Sequence, residues 1–223
     1  MSMNIICPIF YRDSADFWQE LKEIEQSAAD MIEIRLDRYL KDNADLDLIS
    51  QLKKIDSEKE LLFTIRTSKE GGEVKLNDTE YQSFIFQLMQ LKGLVDIEYQ
   101  RLKRFDEFPN MDQAVLSYHN FEKTPENLDE IWAGMEQYHP FIQKIAVMPL
   151  KKEDVMRLLL SCYNHKTRSK KIAVSMSELG QISRIIGPMF ESSYSFAALY
   201  TSSAPGQVSI DNLVDILSKL ALS

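Results

Sequence analysis

Apolar and β-branched residues gather in eight short runs, at 4–8, 31–36, 61–66, 94–98, 114–118, 144–148, 171–175 and 195–200. Between them apolar positions recur every three to four residues, the period of an amphipathic helix, over 15–29, 44–55, 78–91, 126–138, 153–163, 181–190 and 211–220. The exception is 100–110, short and charged, which is expected to be an abbreviated crossover. Strands alternating with helices point to a parallel sheet, and eight of them favour a closed (β/α)8 TIM barrel over an open doubly wound sheet. No Pro/Gly/Ser-rich linker, repeat or low-complexity tract interrupts the pattern, so residues 1–223 are expected to form one compact α/β domain.

Several runs carry polar residues in strict alternation. Glu33 and Arg35 share a face opposite Ile32, Ile34 and Leu36, and Thr64 with Arg66, Asp96 with Glu98, and Ser117 with His119 repeat the arrangement. An isolated pair of this kind reads as the solvated face of an edge strand, but parallel strands are covered on both faces. Their polar residues must therefore pair with one another or with a ligand.

Lys144 is the strongest interruption, a cation in Gln143-Lys144-Ile145-Ala146-Val147-Met148. A lysine between apolar walls has its pKa lowered, so part of it is a free amine able to attack a carbonyl carbon. His119, at the end of the preceding run, is a proton carrier suited to the steps that follow imine formation. The plain alternative is a lysine that reaches back to solvent near a strand end, beside a histidine that only ends a strand.

Composition narrows the partners. The chain of 223 residues is 44% hydrophobic and 27% charged, which suits globular structure, and its net charge of −8 argues against a nucleic-acid or anionic-membrane surface. No apolar run approaches a membrane span and the start lacks a secretory pattern, so a cytoplasmic protein is expected. Cys7 and Cys162 are expected to be reduced core thiols. His119, His139 and His165 show no metal-ligand spacing, and His139 and His165 are expected to be exposed loop residues. No dinucleotide or phosphate-loop pattern occurs. Gly71-Gly72 suggests a mobile loop, and 202–207 carries hydroxyls and an amide suited to closing over a hydroxylated ligand, or forms a plain turn.

Six ordered segments span nearly the whole chain: Glu33-Ile34-Arg35-Leu36-Asp37, Phe63-Thr64-Ile65-Arg66 with Lys69-Glu70-Gly71-Gly72-Glu73, Ser117-Tyr118-His119-Asn120-Phe121, Lys144-Ile145-Ala146, Ser175-Met176-Ser177 with Ile182-Ser183-Arg184, and Ser203-Ala204-Pro205-Gly206-Gln207. With these the chain resembles the type I 3-dehydroquinate dehydratases of the shikimate pathway. The resemblance implies a (β/α)8 barrel, usually a homodimer, that converts 3-dehydroquinate to 3-dehydroshikimate and water with neither metal nor organic cofactor. It further implies Lys144 as the Schiff-base nucleophile, His119 as general acid and base, and Glu70 as the carboxylate that orients His119. Glu33, Arg35 and Arg66 match residues that contact substrate hydroxyls, Arg184 the clamp on the substrate carboxylate, and Ser203 and Gln207 the closing loop. Met176 matches a methionine beside the ring, and Phe121 and Phe196 fall at aromatic wall positions. Val174 departs from relatives that carry a second methionine there. Two other functions compete: a class I aldolase or transaldolase-like enzyme, against which the missing glycine-rich phosphate cup counts, and a catalytically silent barrel that binds a similar ligand.

Overall fold

A computed structural model describes residues 3–42, 48–199 and 208–221. Its strands are β1 Asn4–Phe10, β2 Met31–Arg35, β3 Glu60–Thr64, β4 Leu94–Glu98, β5 Ala114–Asn120, β6 Ile142–Val147, β7 Lys170–Ser175, β8 Tyr194–Ala198 and the two-residue β9 Val208–Ser209. All are parallel, in the order β7-β6-β5-β4-β3-β2-β1-β8-β9. The sheet therefore curls through β1 to β7 in chain order and returns with β8 beside β1. At the seam between β7 and β8, Ser193 N–H donates to Lys171 O at 2.7 Å and Ala173 N–H to Ser192 Oγ at 3.0 Å. This is the expected α/β barrel.

Alternation splits the core in two. One cluster fills the inside of the curl with one parity of the strands, including Ile6, Met31, Leu62, Leu94, Val115 and Ile172. The opposite parity, with Ile5, Cys7, Ile34, Phe63, Ile97, Leu116 and Ile145, packs under the helices. The helix Ala15–Gln26 shows how the covering layer forms: Phe17, Leu21 and Ile24 fall on its buried stripe. The helix Asp78–Leu88 starts at a capping box, in which Asn77 Oδ1 accepts from Glu80 N–H and Glu80 Oε2 from Asn77 N–H.

Some expectations are corrected. The helix expected over 181–190 is a helical turn at Ser183–Ile186 followed by a 3-10 segment at Gly187–Phe190. Pro188 has no N–H to bond back to the preceding turn, so the α-helical ladder ends there although Gly187 keeps right-handed helical angles. Of the helix expected over 44–55, the described part is Leu48–Leu52. The charged stretch after β4 is short as expected, with one helical turn at Tyr99–Leu102. His165 is not an exposed loop residue: its ring stacks on Trp132 at 5.6 Å, and Nε2 lies 3.1 Å from Oε1 of the buried Gln143. Gln143 has outward parity on β6, and a buried amide needs partners there. Both cysteines are buried free thiols, pushed up to about 12 by that burial. Among the described residues no helix is long and apolar enough to cross a membrane.

Candidate active site

In a parallel pair the residues that face each other share a side of the sheet, so register decides which side chains meet. Thr64 pairs with Asp96, Glu98 with Ser117, Ser117 with Lys144, and His119 with Ala146. The polar parity noted in the sequence is thus one continuous surface above the apolar inner cluster. It lines a cavity of about 180 Å³ together with Glu70, Gly71 and Phe121 from the loops after β3 and β5, and Met176 and Arg184 after β7. These positions lie toward the C-terminal ends of the strands, where barrel enzymes place their chemistry.

Lys144 is buried, 5% exposed. Its Nζ is 3.7 Å from Asp96 Oδ2, 4.0 Å from Glu33 Oε1, and 4.3 Å from the centre of the Phe196 ring. Both carboxylates stand beyond direct hydrogen-bond reach, so they moderate the amine's charge without occupying it. Burial lowers the Lys144 pKa from the usual lysine range, Glu33 and then Asp96 raise it partway back, and Arg66 and Arg35 lower it again.

His119 Nδ1 is 2.9 Å from Glu70 Oε2. Burial holds the imidazole pKa well below its usual value, with Arg66, Lys144 and Arg35 adding to the effect, so it is neutral near pH 7. Burial also pushes the Glu70 carboxyl up to about 8, against the Arg66 guanidinium and with help from Glu98 and Asp96. Glu70 sits on the 3-10 turn Ser68–Glu70, which closes on Gly71 at φ 83°. Gly72 N–H donates to Thr67 O, which closes the segment as a hydrogen-bonded turn. A Cβ on Gly71 would lie 2.3 Å from the Phe121 ring, and one on Gly72 1.8 Å from Arg66 O. Gly71→Ala therefore combines left-handed strain of about 1–2 kcal/mol with displacement of Phe121. A melting temperature lower by roughly 2–8 °C is expected in a thermal scan.

The arginines divide by partner. Arg66 is a hub: Nη2 is 2.8 Å from Asp96 Oδ2, and Nη1 is 3.0 Å from Ser117 Oγ, 3.4 Å from Glu70 Oε2 and 3.6 Å from Glu98 Oε1. Arg35 makes two bonds to Asp37, at 2.8 and 3.0 Å. Arg184 differs from both. It is 8% exposed, and among the described residues no acidic group pairs with it and its Nε has no hydrogen-bond partner. Burial alone pushes its pKa down to about 10, so it remains a cation at neutral pH. An unpaired buried guanidinium facing a cavity is a ready carboxylate site.

The structure thus brings Glu33, Arg35, Arg66, Glu70, His119, Lys144, Met176 and Arg184 around one cavity, with Val174, Phe121 and Phe196 in its wall. Ser203 and Gln207 lie outside the described residues. Asp96 had no role assigned from the sequence beyond its parity. It is fully buried, accepts from Ser117 Oγ at 2.6 Å, and stands nearest of the carboxylates to the lysine. Its parity was the available signal, since it shares a face with Glu98.

Comparison with known proteins agrees on one family. The profile described as Type I 3-dehydroquinase matches residues 5–222. The 3-dehydroquinate dehydratase of Streptococcus sanguinis is 37% identical over 207 residues, covering 89% of this chain and 92% of its own. That of Streptococcus thermophilus is 36% identical over 220 residues, covering 96% and 97%. Among solved structures, type I 3-dehydroquinate dehydratase from Clostridium difficile, with covalently modified comenic acid, aligns at a TM-score of 0.86 and 29% identity, covering 98% of this chain and 92% of that one. The Geobacillus kaustophilus 3-dehydroquinate dehydratase aligns at 0.82 and 30%, covering 99% and 91%.

Proposed function

This chain belongs to the type I 3-dehydroquinase family, the 3-dehydroquinate dehydratases of the shikimate pathway, and we propose that it eliminates water through an imine on Lys144 with His119 as the proton carrier. One observation carries the reading: a buried amine, an imidazole 2.9 Å from the Glu70 carboxyl and an arginine unpaired among the described residues face one small cavity. The structure of the Clostridium difficile relative holds covalently modified comenic acid, which supports a covalent step at this site.

The uncharged Lys144 amine attacks the ring ketone. The carbinolamine oxygen leaves as water, and a protonated imine remains near Asp96 and Glu33. That imine withdraws electrons from the adjacent carbon, so its C–H is acidified. His119 accepts the proton, an enamine forms, and the enamine expels the β-hydroxyl as His119 returns a proton to the departing oxygen. Water then hydrolyses the imine, releasing 3-dehydroshikimate and the free amine. The imine itself is the electron sink, so these steps call on neither metal nor organic cofactor.

Glu70 orients His119, and Arg66 holds Glu70 and Asp96 in place. Glu33 and Arg35 contact substrate hydroxyls, Met176 packs beside the ring, and Ser203 and Gln207 complete the substrate site. We assign the substrate carboxylate to Arg184. Replacing Arg184 with alanine removes a charge-assisted contact of about 1.5–3 kcal/mol, a loss of roughly 10- to 150-fold in kcat/KM. Absorbance of the conjugated product measures this, and most of the loss is expected in KM. Retention of the wild-type KM would move the carboxylate elsewhere. The proposal extends to a single-domain, cytoplasmic homodimer, for which sedimentation should show twice the 25.9 kDa chain mass.

A further inference from the structure

Successive residues of β5 face opposite sides of the sheet, Tyr118 outward and His119 inward. A second cavity, of about 350 Å³, is lined by both of them and so wraps the end of the strand. Glu70 also lines it, with exposed Lys69, Gln100 and Arg104 at its rim. Glu70 and His119 are the two residues common to this cavity and the one that holds Lys144. The pair therefore forms the wall between a chemical compartment and a separate opening toward solvent.

We propose that the second cavity is a water-filled proton port, through which the Glu70–His119 pair exchanges protons with solvent while substrate occupies the first. The inference rests on the mechanism above and adds a route to it. His119 Nε2 accepts the proton as the substrate C–H bond breaks. The resulting imidazolium passes its Nδ1 proton across the 2.9 Å contact to Glu70 in the molecules whose carboxyl is ionised, a share that grows as pH rises through about 8, and Glu70 releases it to water in the second cavity. The reverse sequence restores a proton to Nε2 for the departing hydroxyl, so each turnover leaves the pair unchanged. The surroundings suit a passage for water. Of the cations lining the cavity, Arg101 pairs through Nε with Glu98 at 3.2 Å and Arg104 with Asp78 at 3.1 Å, which leaves the exposed Lys69 ammonium at the solvent rim. A polar cavity of this size readily accommodates several waters.

Gln100 lines only the second cavity, and Gln100→Trp fills it without touching the first. The test incubates 3-dehydroquinate with enzyme in D2O to partial conversion and compares deuterium in recovered substrate, above that found with Lys144→Ala, with product formed. Wild type should exchange readily. In Gln100→Trp the exchange-to-turnover ratio should fall at least about fivefold, because the abstracted proton stays on the pair and returns to carbon, with KM unchanged. Gln100→Phe, a smaller plug, should lie between the two and serves if the tryptophan variant misfolds. A ratio within twofold of wild type in a folded plug variant overturns the port, as does a wild type that turns over without exchange. Failure of wild type to form a borohydride adduct on Lys144 would instead remove the mechanism beneath it, so the two failures are distinguishable.

Discussion

Lys144→Ala should turn over 3-dehydroquinate no faster than the uncatalysed background, a loss of roughly 10⁴-fold or more on the scale seen when a covalent nucleophile is removed. The loss follows from chemistry and not from collapse of the barrel. Asp96 keeps Arg66 and Ser117 as partners and Glu33 keeps Thr64, so no carboxylate is stranded by the missing amine. A melting temperature within roughly 4 °C of wild type, about 1 kcal/mol, is expected. Lys144→Arg separates the amine's charge from its reactivity. A guanidinium stays protonated and cannot form the imine, so this variant should be equally inactive. Substantial turnover by Lys144→Arg would mean that the lysine acts only through its charge, and substantial turnover by Lys144→Ala that the reaction does not need it.

His119→Ala should lower kcat by about 10²- to 10⁴-fold, the range for positioned acid and base catalysis. Imine formation depends on the lysine and should survive, so the variant is expected to accumulate a substrate adduct that mass spectrometry detects after reduction. The two variants thus fail differently, one without an adduct and one with too much of it. Glu70→Gln keeps the size of the side chain that faces Nδ1 while removing its ability to accept the Nδ1 proton as an anion, and a smaller loss in the same direction is expected. Normal turnover by His119→Ala would assign the proton steps to another group.

Much of this arrangement was legible in the chain because parallel strands convert period two into geometry. The run at 94–98 coincides with β4, and the parity of Glu33, Arg35, Asp96, Ser117, His119 and Lys144 is the parity that lines the cavity or its floor. Strand ends shifted by a few residues where the apolar pattern gives way to polar positions, as at β5, which continues through His119 to Asn120. The helical turn Asp37–Asp42 was not foreseen, because six residues are too few to express a helical period.

The pairings were the less legible part. Whether Arg66 faces a ligand or serves as a hub depends on distances across β3, β4 and β5, which alternation alone does not supply. Glu70 lies on a 3-10 turn outside any sustained period, and Arg184 on a four-residue helix within 181–190, where the period carried no sign of its role, so only the family motifs pointed to them. Packing then distinguished the arginines, leaving Arg184 buried without an acidic partner among the described residues while Arg35 and Arg66 have theirs.

The central claim is the covalent bond to Lys144. Wild-type protein incubated with 3-dehydroquinate and borohydride, digested and mapped by mass spectrometry, should carry one reduced adduct, on the peptide that contains Lys144, and should lose activity in proportion to its formation. No adduct under turnover conditions, or an adduct confined to another lysine such as Lys171, would contradict the account.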